Sequence, residues 1–231
     1  ERGARIAEHV ASSGAALTAS SWVEETTSTA RARLQPDGSA EYEFDIDWQV
    51  ATPDLDGVAL VHSGSIALFL QPGGDTVLES LERARGAAMV TVDPNIRPAL
   101  VGAHADAFSR FARAASSADL VKLSDEDAAW LYPGLVPEQA LAEIAAFGPR
   151  VVVMTRGGEG ALALGPGGIT EVAALEVAVA DTIGAGDAYM ASLISSALDD
   201  PALLDDADAL RRALRRAAVM AGITVSRAGA N

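Results

Sequence analysis

With 231 residues, 49 % of them hydrophobic, the chain is long enough to bury one sizeable core, and two full domains would be crowded. Its 32 Asp and Glu against 17 Lys and Arg give a formal net charge of -15, which disfavours nucleic acid and anionic lipid as partners, so any bound phosphate must be held locally by backbone amides and a few placed cations. Cysteine is absent, excluding disulfides and thiolate metal sites, and no apolar run reaches the roughly 18 residues of a membrane span.

Residues 1–13 lack an initiator Met and predict an amphipathic helix with Ile6, Val10 and the alanines on one face. Such an opening suggests that a segment precedes residue 1 in the whole protein. Beyond Gly14, residues 27–34 and 40–46 alternate polar and apolar side chains around Pro36-Asp37-Gly38, the pattern of a β-hairpin with one wet face. From residue 58 onward the texture changes to short apolar runs at 58–62, 88–93, 120–123, 151–155 and 161–164. Helix-like segments separate them at 75–85, 103–116, 126–132 and 137–147, and two long helices are predicted at 186–198 and 206–225. Strands apolar on both faces that alternate with helices predict an α/β fold, a doubly wound, mainly parallel sheet flanked by helices.

In such sheets ligands bind beyond the carboxyl ends of the strands. Asp93-Pro94-Asn95-Ile96-Arg97, Ser124-Asp125-Glu126-Asp127 and Thr155-Arg156-Gly157-Gly158 all fall there. The strongest signal is Asp181-Thr182-Ile183-Gly184-Ala185-Gly186-Asp187, which runs straight into an apolar-periodic helix. Its glycines allow a sharp turn and close ligand approach, and the helix start presents free N–H groups to an anion. Asp187 beside such amides is placed to take a proton from an attacking hydroxyl; alternatively it is a first-turn carboxylate favoured by the helix dipole. Arg97 has two readings as well, a crevice cation for phosphoryl or acidic groups, or a solvated loop charge after a strand ended by Pro94 and Pro98. Ser124 and Asp127 fit a helix-capping pair and also an oxygen-rich magnesium environment. Gly157-Gly158-Glu159-Gly160 lacks dinucleotide-fold spacing, and Gly158 and Gly160 are also readable as turn glycines. His9, His62 and His104 show no metal spacing. Trp22, Trp48 and Trp130 read as packing residues, with a sugar contact open for Trp48.

The heptapeptide at 181–187 resembles the signature of the ribokinase-like, or PfkB, carbohydrate kinases, and Asp93, Asn95 and Arg97 resemble an element of the fructokinase-like and ketodeoxygluconate kinase-like members of that family. The resemblance extends in order through an early lid hairpin, Asp-Pro-Asn-x-Arg, Lys-x-Ser-Asp-Glu, Thr-x-Gly-x-x-Gly, the heptapeptide and the closing Ser-Arg-x-Gly-Ala-Asn. It implies a ribokinase-like α/β domain over 1–231 with a small β-lid at about 27–46. It further implies ATP and magnesium, Asp187 as catalytic base and the amides of Gly184, Ala185 and Gly186 as an anion hole. Arg97 and Asn95 would face the substrate, and Thr155, Gly157 and Gly160 would lie near the nucleotide phosphates. Ser124 and Asp127 stand where the family usually carries Asn and Glu. Asp181, with carbonyls of Ile183, Thr224, Arg227 and Gly229, would correspond to a site for potassium. The family's N-terminal strand and Gly-Gly-x-x-x-Asn element, the source of most sugar contacts, have no match here. Fructose is the first substrate implied, then 2-keto-3-deoxygluconate or a nucleoside; the contrasting class is a non-catalytic sugar-binding protein of the same fold. A cytoplasmic location and a homodimer formed through the lid are implied as well.

Overall fold

The computed structural model describes residues 2–22, 26–34 and 40–229. Helix α1 (Arg2–Ser12) has the expected amphipathic spacing, yet none of its residues is buried. The hairpin follows as a separate antiparallel sheet of β1 (Thr29–Leu34) and β2 (Ala40–Asp45), in register from Thr29↔Asp45 to Leu34↔Ala40. The Pro36-Asp37-Gly38 turn lies outside the described residues, as do Ala230 and Asn231 of the closing motif.

The main body alternates strands and helices as the apolar runs require: β3 (Leu60–Gly64), α2 (Ile66–Phe69), α3 (Gly73–Ala84), β4 (Met89–Asp93), α4 (His104–Ser117), β5 (Leu120–Ser124), α5 (Asp125–Leu131), α6 (Pro137–Ala145) and β6 (Val151–Thr155). Strands β7 (Ala161–Gly165) and β8 (Gly168–Val172) precede the long helices α7 (Ala185–Asp199) and α8 (Ala207–Val225). The sheet has the order β3-β4-β5-β6-β7-β8, parallel from β3 to β6 and antiparallel at β7 and β8. Strand β8 and the single-turn α2 are not visible as apolar runs. In β8 the signal is the two-residue turn Pro166-Gly167, with positive φ at Gly167 and Gly168, and a one-sided alternation that leaves Ile169 and Glu171 outward. Helix α2 owes its place to the buried side chains Leu68 and Phe69.

Side-chain period two divides the core into two layers. Val90, Val92, Val121, Leu123, Val152 and Met154 pack on one face with α2 to α6, while Leu120, Val151, Val153, Ala161 and Ala163 pack on the other with Leu193 of α7 and Leu210 and Leu214 of α8. Parallel strands laid down in sequence order send their right-handed crossover helices to the same face. The C-terminal helix pair therefore covers the face those crossovers leave bare. Trp48, on the exit from the hairpin, donates its indole N–H to the Ala67 carbonyl at 3.2 Å and lies against Gly73, where a Cβ would come within 2.7 Å of the ring. It is a packing anchor for α2 and α3. Among the described residues no helix is long and apolar enough to cross a membrane.

Candidate active site

The carboxyl ends of β4, β5 and β6 open onto a crevice of about 850 Å³. Its walls bring together residues distant in the chain: Asn95, Arg97, Ser124, Thr155, Gly157 and Gly160, with Ala185 and Gly186 at the start of α7. The expected strand-end residues thus share one space. A second wall is apolar and was not foreseen. It runs along Leu175, Val177 and Val179 and is met by Ala218, Ala221 and Gly222 of α8. Gly222 permits that approach, because a Cβ there would lie 2.7 Å from the Leu175 side chain. Leu175, Val177 and Val179 alternate along the segment, yet it forms no strand, and the fold alone sets it against α8.

The turn into α7 depends on Gly184, whose φ of 79° is left-handed and is adopted readily by glycine. Ala185 N–H donates to the Thr182 carbonyl at 3.3 Å, tightening the turn. The N–H groups of Gly186 and Asp187 have no carbonyl one turn back to bond within the helix. Gly186 does not carry a positive φ. Its constraint is steric, since a Cβ would sit 3.0 Å from the ammonium of Lys122. Asp187, third residue of α7, is exposed, and no hydrogen bond to its carboxylate is formed among the described residues.

Beneath this turn lies a polar layer within the sheet. Lys122, in the middle of β5, is 4 % exposed and its Nζ is 2.9 Å from Asp93 Oδ2 at the end of β4. Burial pushes the Asp93 carboxyl above its usual range; Lys122 opposes that shift, and the charges of Asp127 and Asp187 add to it. Next along the same face, His62 Nδ1 and Thr91 Oγ1 are 3.0 Å apart. His62 is exposed at the sheet edge, yet the surrounding protein desolvates its ring enough to hold its pKa below the usual value. A lysine inside the apolar run Leu-Val-Lys-Leu was the available sign of this layer.

The Asp93–Arg97 segment leaves β4 through Asn95 at φ 37° and faces Ser65 at φ 51°. Both are non-glycine residues in the left-handed region, a geometry that costs energy and is held by its surroundings. Ser65 N–H donates to the Asp93 carbonyl at 2.9 Å. Close β3–β4 contact explains Gly64, since a Cβ there would fall 2.0 Å from the Asp93 oxygen. Arg97 is exposed in the crevice wall, its Nη1 donating to the Ile96 carbonyl at 3.2 Å.

Ser124 and Asp127 form the expected capping box: Asp127 N–H donates to Ser124 Oγ and Ser124 N–H donates to Asp127 Oδ2, each at 3.0 Å. Asp127 Oδ1 accepts from Ile96 N–H at 2.7 Å. Both oxygens of this buried carboxylate therefore hold backbone together, tying the Asn95 loop to α5. Thr155 closes β6, its Oγ1 donating to the Leu123 carbonyl at 3.4 Å. Gly157 has φ 52°. Gly160, at φ 91°, would put a Cβ 2.1 Å from the Val172 carbonyl oxygen, so the β6–β7 connection requires glycine there whatever else it does. Asp181 sits at the far end of the turn, accepting from Ile183 N–H at 2.9 Å and Gly229 N–H at 3.1 Å. Those two donors hold its carboxyl below the usual range. They also tie the 181–183 turn to Gly229. No cluster of three or more His, Asp or Glu suited to hold a metal occurs among the described residues.

Comparison with known proteins gives a consistent kinship. The family described as pfkB family carbohydrate kinase matches residues 3–231. A fructokinase of Rhizobium leguminosarum bv. trifolii is 33 % identical over 178 residues, covering 71 % of this chain and 55 % of its own; the chain spans about half the length of the curated relatives it matches. The crystal structure of a fructokinase with bound ATP from Xylella fastidiosa superposes with a TM-score of 0.84 at 22 % identity, covering 99 % of this chain and 76 % of that one, a likeness of fold. An aminoimidazole riboside kinase from Salmonella enterica is 26 % identical with a TM-score of 0.67, covering 73 % of this chain and 57 % of that one.

Proposed function

The chain belongs to the pfkB family of carbohydrate kinases, and on that premise we propose that the complete protein transfers the γ-phosphoryl group of ATP to a sugar hydroxyl, with fructose as the first substrate to test. The observation that carries this reading is the start of α7, where Ala185 and Gly186 line the crevice and the next residue, Asp187, carries an exposed carboxylate with no hydrogen bond among the described residues. Phosphoryl transfer asks the protein mainly for position and for stabilisation of charge. Asp187 would accept the proton of the attacking hydroxyl. The amides of Gly184, Ala185 and Gly186 would hold the phosphoryl oxygens as charge develops, and Arg97 and Asn95 would face the acceptor side.

The apolar wall of Leu175, Val177 and Val179 against α8 would receive the flat face of a purine, and the phosphates would then lie near Thr155, Gly157 and Gly160. Magnesium needs few protein ligands when it arrives with nucleotide, because phosphates and water complete its shell. The crevice supplies hard oxygen donors at Ser124 and Glu126 for that shell, whereas Asp127 is occupied with backbone and would act by shaping the loop. The metal would neutralise phosphate charge during transfer. Asp181 and the carbonyls of Ile183, Thr224, Arg227 and Gly229 would hold a potassium ion. The hairpin β1–β2, standing apart from the main sheet, would close over the sugar, exclude water and pair with a second copy.

A coupled ADP-release assay of the complete protein over fructose, 2-keto-3-deoxygluconate and nucleosides tests the proposal. Fructose-dependent ADP formation is the expected result. Sugar binding by calorimetry without ADP formation on any member of the panel would assign the protein to the non-catalytic class.

A further inference from the structure

Lys122 is out of place by every ordinary measure. Its β5 neighbours Leu120, Val121 and Leu123 are fully buried and apolar, and removing an ammonium from water into such surroundings costs several kcal/mol unless it is well paired. The pairing found is incomplete on both sides. Asp93 Oδ2 takes one of the three ammonium donors at 2.9 Å, and Asp93 Oδ1, equally buried, has no hydrogen-bond partner among the described residues. A pair kept for stability alone would be better replaced by apolar residues of similar volume.

The open side of the ammonium faces the turn at the start of α7. At Gly186 a Cβ would approach Nζ to 3.0 Å, so the cation lies directly against the one residue of that turn which exposes bare backbone to it, and Lys122 also lines the crevice. A helix N-terminus already carries partial positive charge. Setting a buried cation against it is unfavourable in the empty protein and becomes favourable when an anion arrives at the same point, because charges fixed in a dry site stabilise that anion without reorganising.

We propose that Lys122 is a positioning residue for phosphoryl transfer: held by Asp93 beneath Gly186, its ammonium raises the positive potential at the start of α7 where the transferring phosphoryl group gathers charge. The ammonium acts through the turn and touches no reacting atom. This inference rests on the kinase reading above and adds a residue to it. Because the interaction strengthens as charge develops, its loss belongs to the transition state and appears in kcat more than in nucleotide affinity.

The test compares the complete protein with Lys122→Met/Asp93→Asn, which removes both charges and so relieves the uncompensated ion that either single change leaves. Melting temperature, ADP affinity and affinity for magnesium-ADP with aluminium fluoride, a planar mimic of the transferring phosphoryl group, are measured in the presence of sugar. The double variant is expected to melt close to the parent and to bind ADP within about 3-fold, while losing on the order of 10- to 10²-fold in kcat and in affinity for the mimic. Recovery of parental kcat and mimic affinity by the neutral pair overturns the proposal and leaves the ion pair a structural one. If the double variant does not fold, Lys122→Gln decides, since it keeps a donor for Asp93 and removes the cation: a loss of mimic affinity of about 10-fold or more with ADP affinity within about 3-fold supports the proposal, and parental mimic affinity overturns it. A parent that forms no ADP with any sugar refutes the kinase reading, a result distinct from an active parent matched by its neutral-pair variant.

Discussion

Two helices begin at the same crevice, and each places an aspartate at its third residue. In α5 that residue is Asp127, buried, with both oxygens filled by the N–H groups of Ser124 and Ile96. In α7 it is Asp187, exposed and without a hydrogen bond among the described residues. Helix position and residue type are identical, so neither determines the task. What differs is the segment packed above the carboxylate. Ile96 N–H of the Asp93–Arg97 loop and Ser124 N–H fill Asp127, whereas no hydrogen bond among the described residues reaches the carboxylate of Asp187, which follows the crevice-lining Ala185 and Gly186. A carboxylate already bonded to backbone donors is a fastener; one left open can accept a proton.

The largest way to break this comparison is Asp187→Asn in the complete protein. The amide keeps the size and cannot accept the hydroxyl proton, so kcat is expected to fall by about 10²- to 10⁴-fold with nucleotide affinity and melting temperature little changed. Near-normal kcat at saturating substrates would reduce Asp187 to a helix-start carboxylate. Asp127→Ala should do the opposite. Orphaning two buried N–H groups costs about 3 kcal/mol, seen as a melting point lower by roughly 6–12 °C, with any loss of activity following from a loosened Asn95 loop. An Asp127→Ala protein that melts normally would contradict the fastening role.

Gly186→Ala sharpens the contrast further. The methyl group meets the Lys122 ammonium at 3.0 Å and must displace either the cation or the turn, so kcat and nucleotide affinity should each drop about 10-fold, misplacement near the chemistry being costly. Unlike the glycine at 184, this one is not required by its backbone angle. The smallest effect concerns Asp181. Its carboxyl is held below the ordinary value of 3.8 by the N–H groups of Ile183 and Gly229, so the stability it lends is present above that value and is lost as pH falls through the lower folded one. Melting curves of the parent and Asp181→Asn should therefore differ at neutral pH and converge toward pH 3 and below; curves separated by a constant offset would show that the carboxylate is not ionised in those bonds.

By itself the sequence determined the alternation of apolar strands and helices from residue 58 onward, the hairpin, and the glycine-rich start of α7 with Asp187. These are local signals: a run apolar on both faces is stable only inside a covered sheet, and a left-handed turn into a helix needs its glycine wherever it occurs. Strand β8 escaped because it is half exposed and so shows no continuous apolar run, and helix α2 because a single turn is too short to show a period. The division of labour between Asp127 and Asp187, the apolar wall of Leu175, Val177 and Val179, and the seat of Lys122 under Gly186 were decided by tertiary structure alone. Each depends on which distant segment lies above or below the residue: Ile96 over Asp127, α8 against the 174–179 segment, Asp93 beside Lys122 across two strands. Those neighbours are set by the order of strands in the sheet, which residue periodicity does not contain.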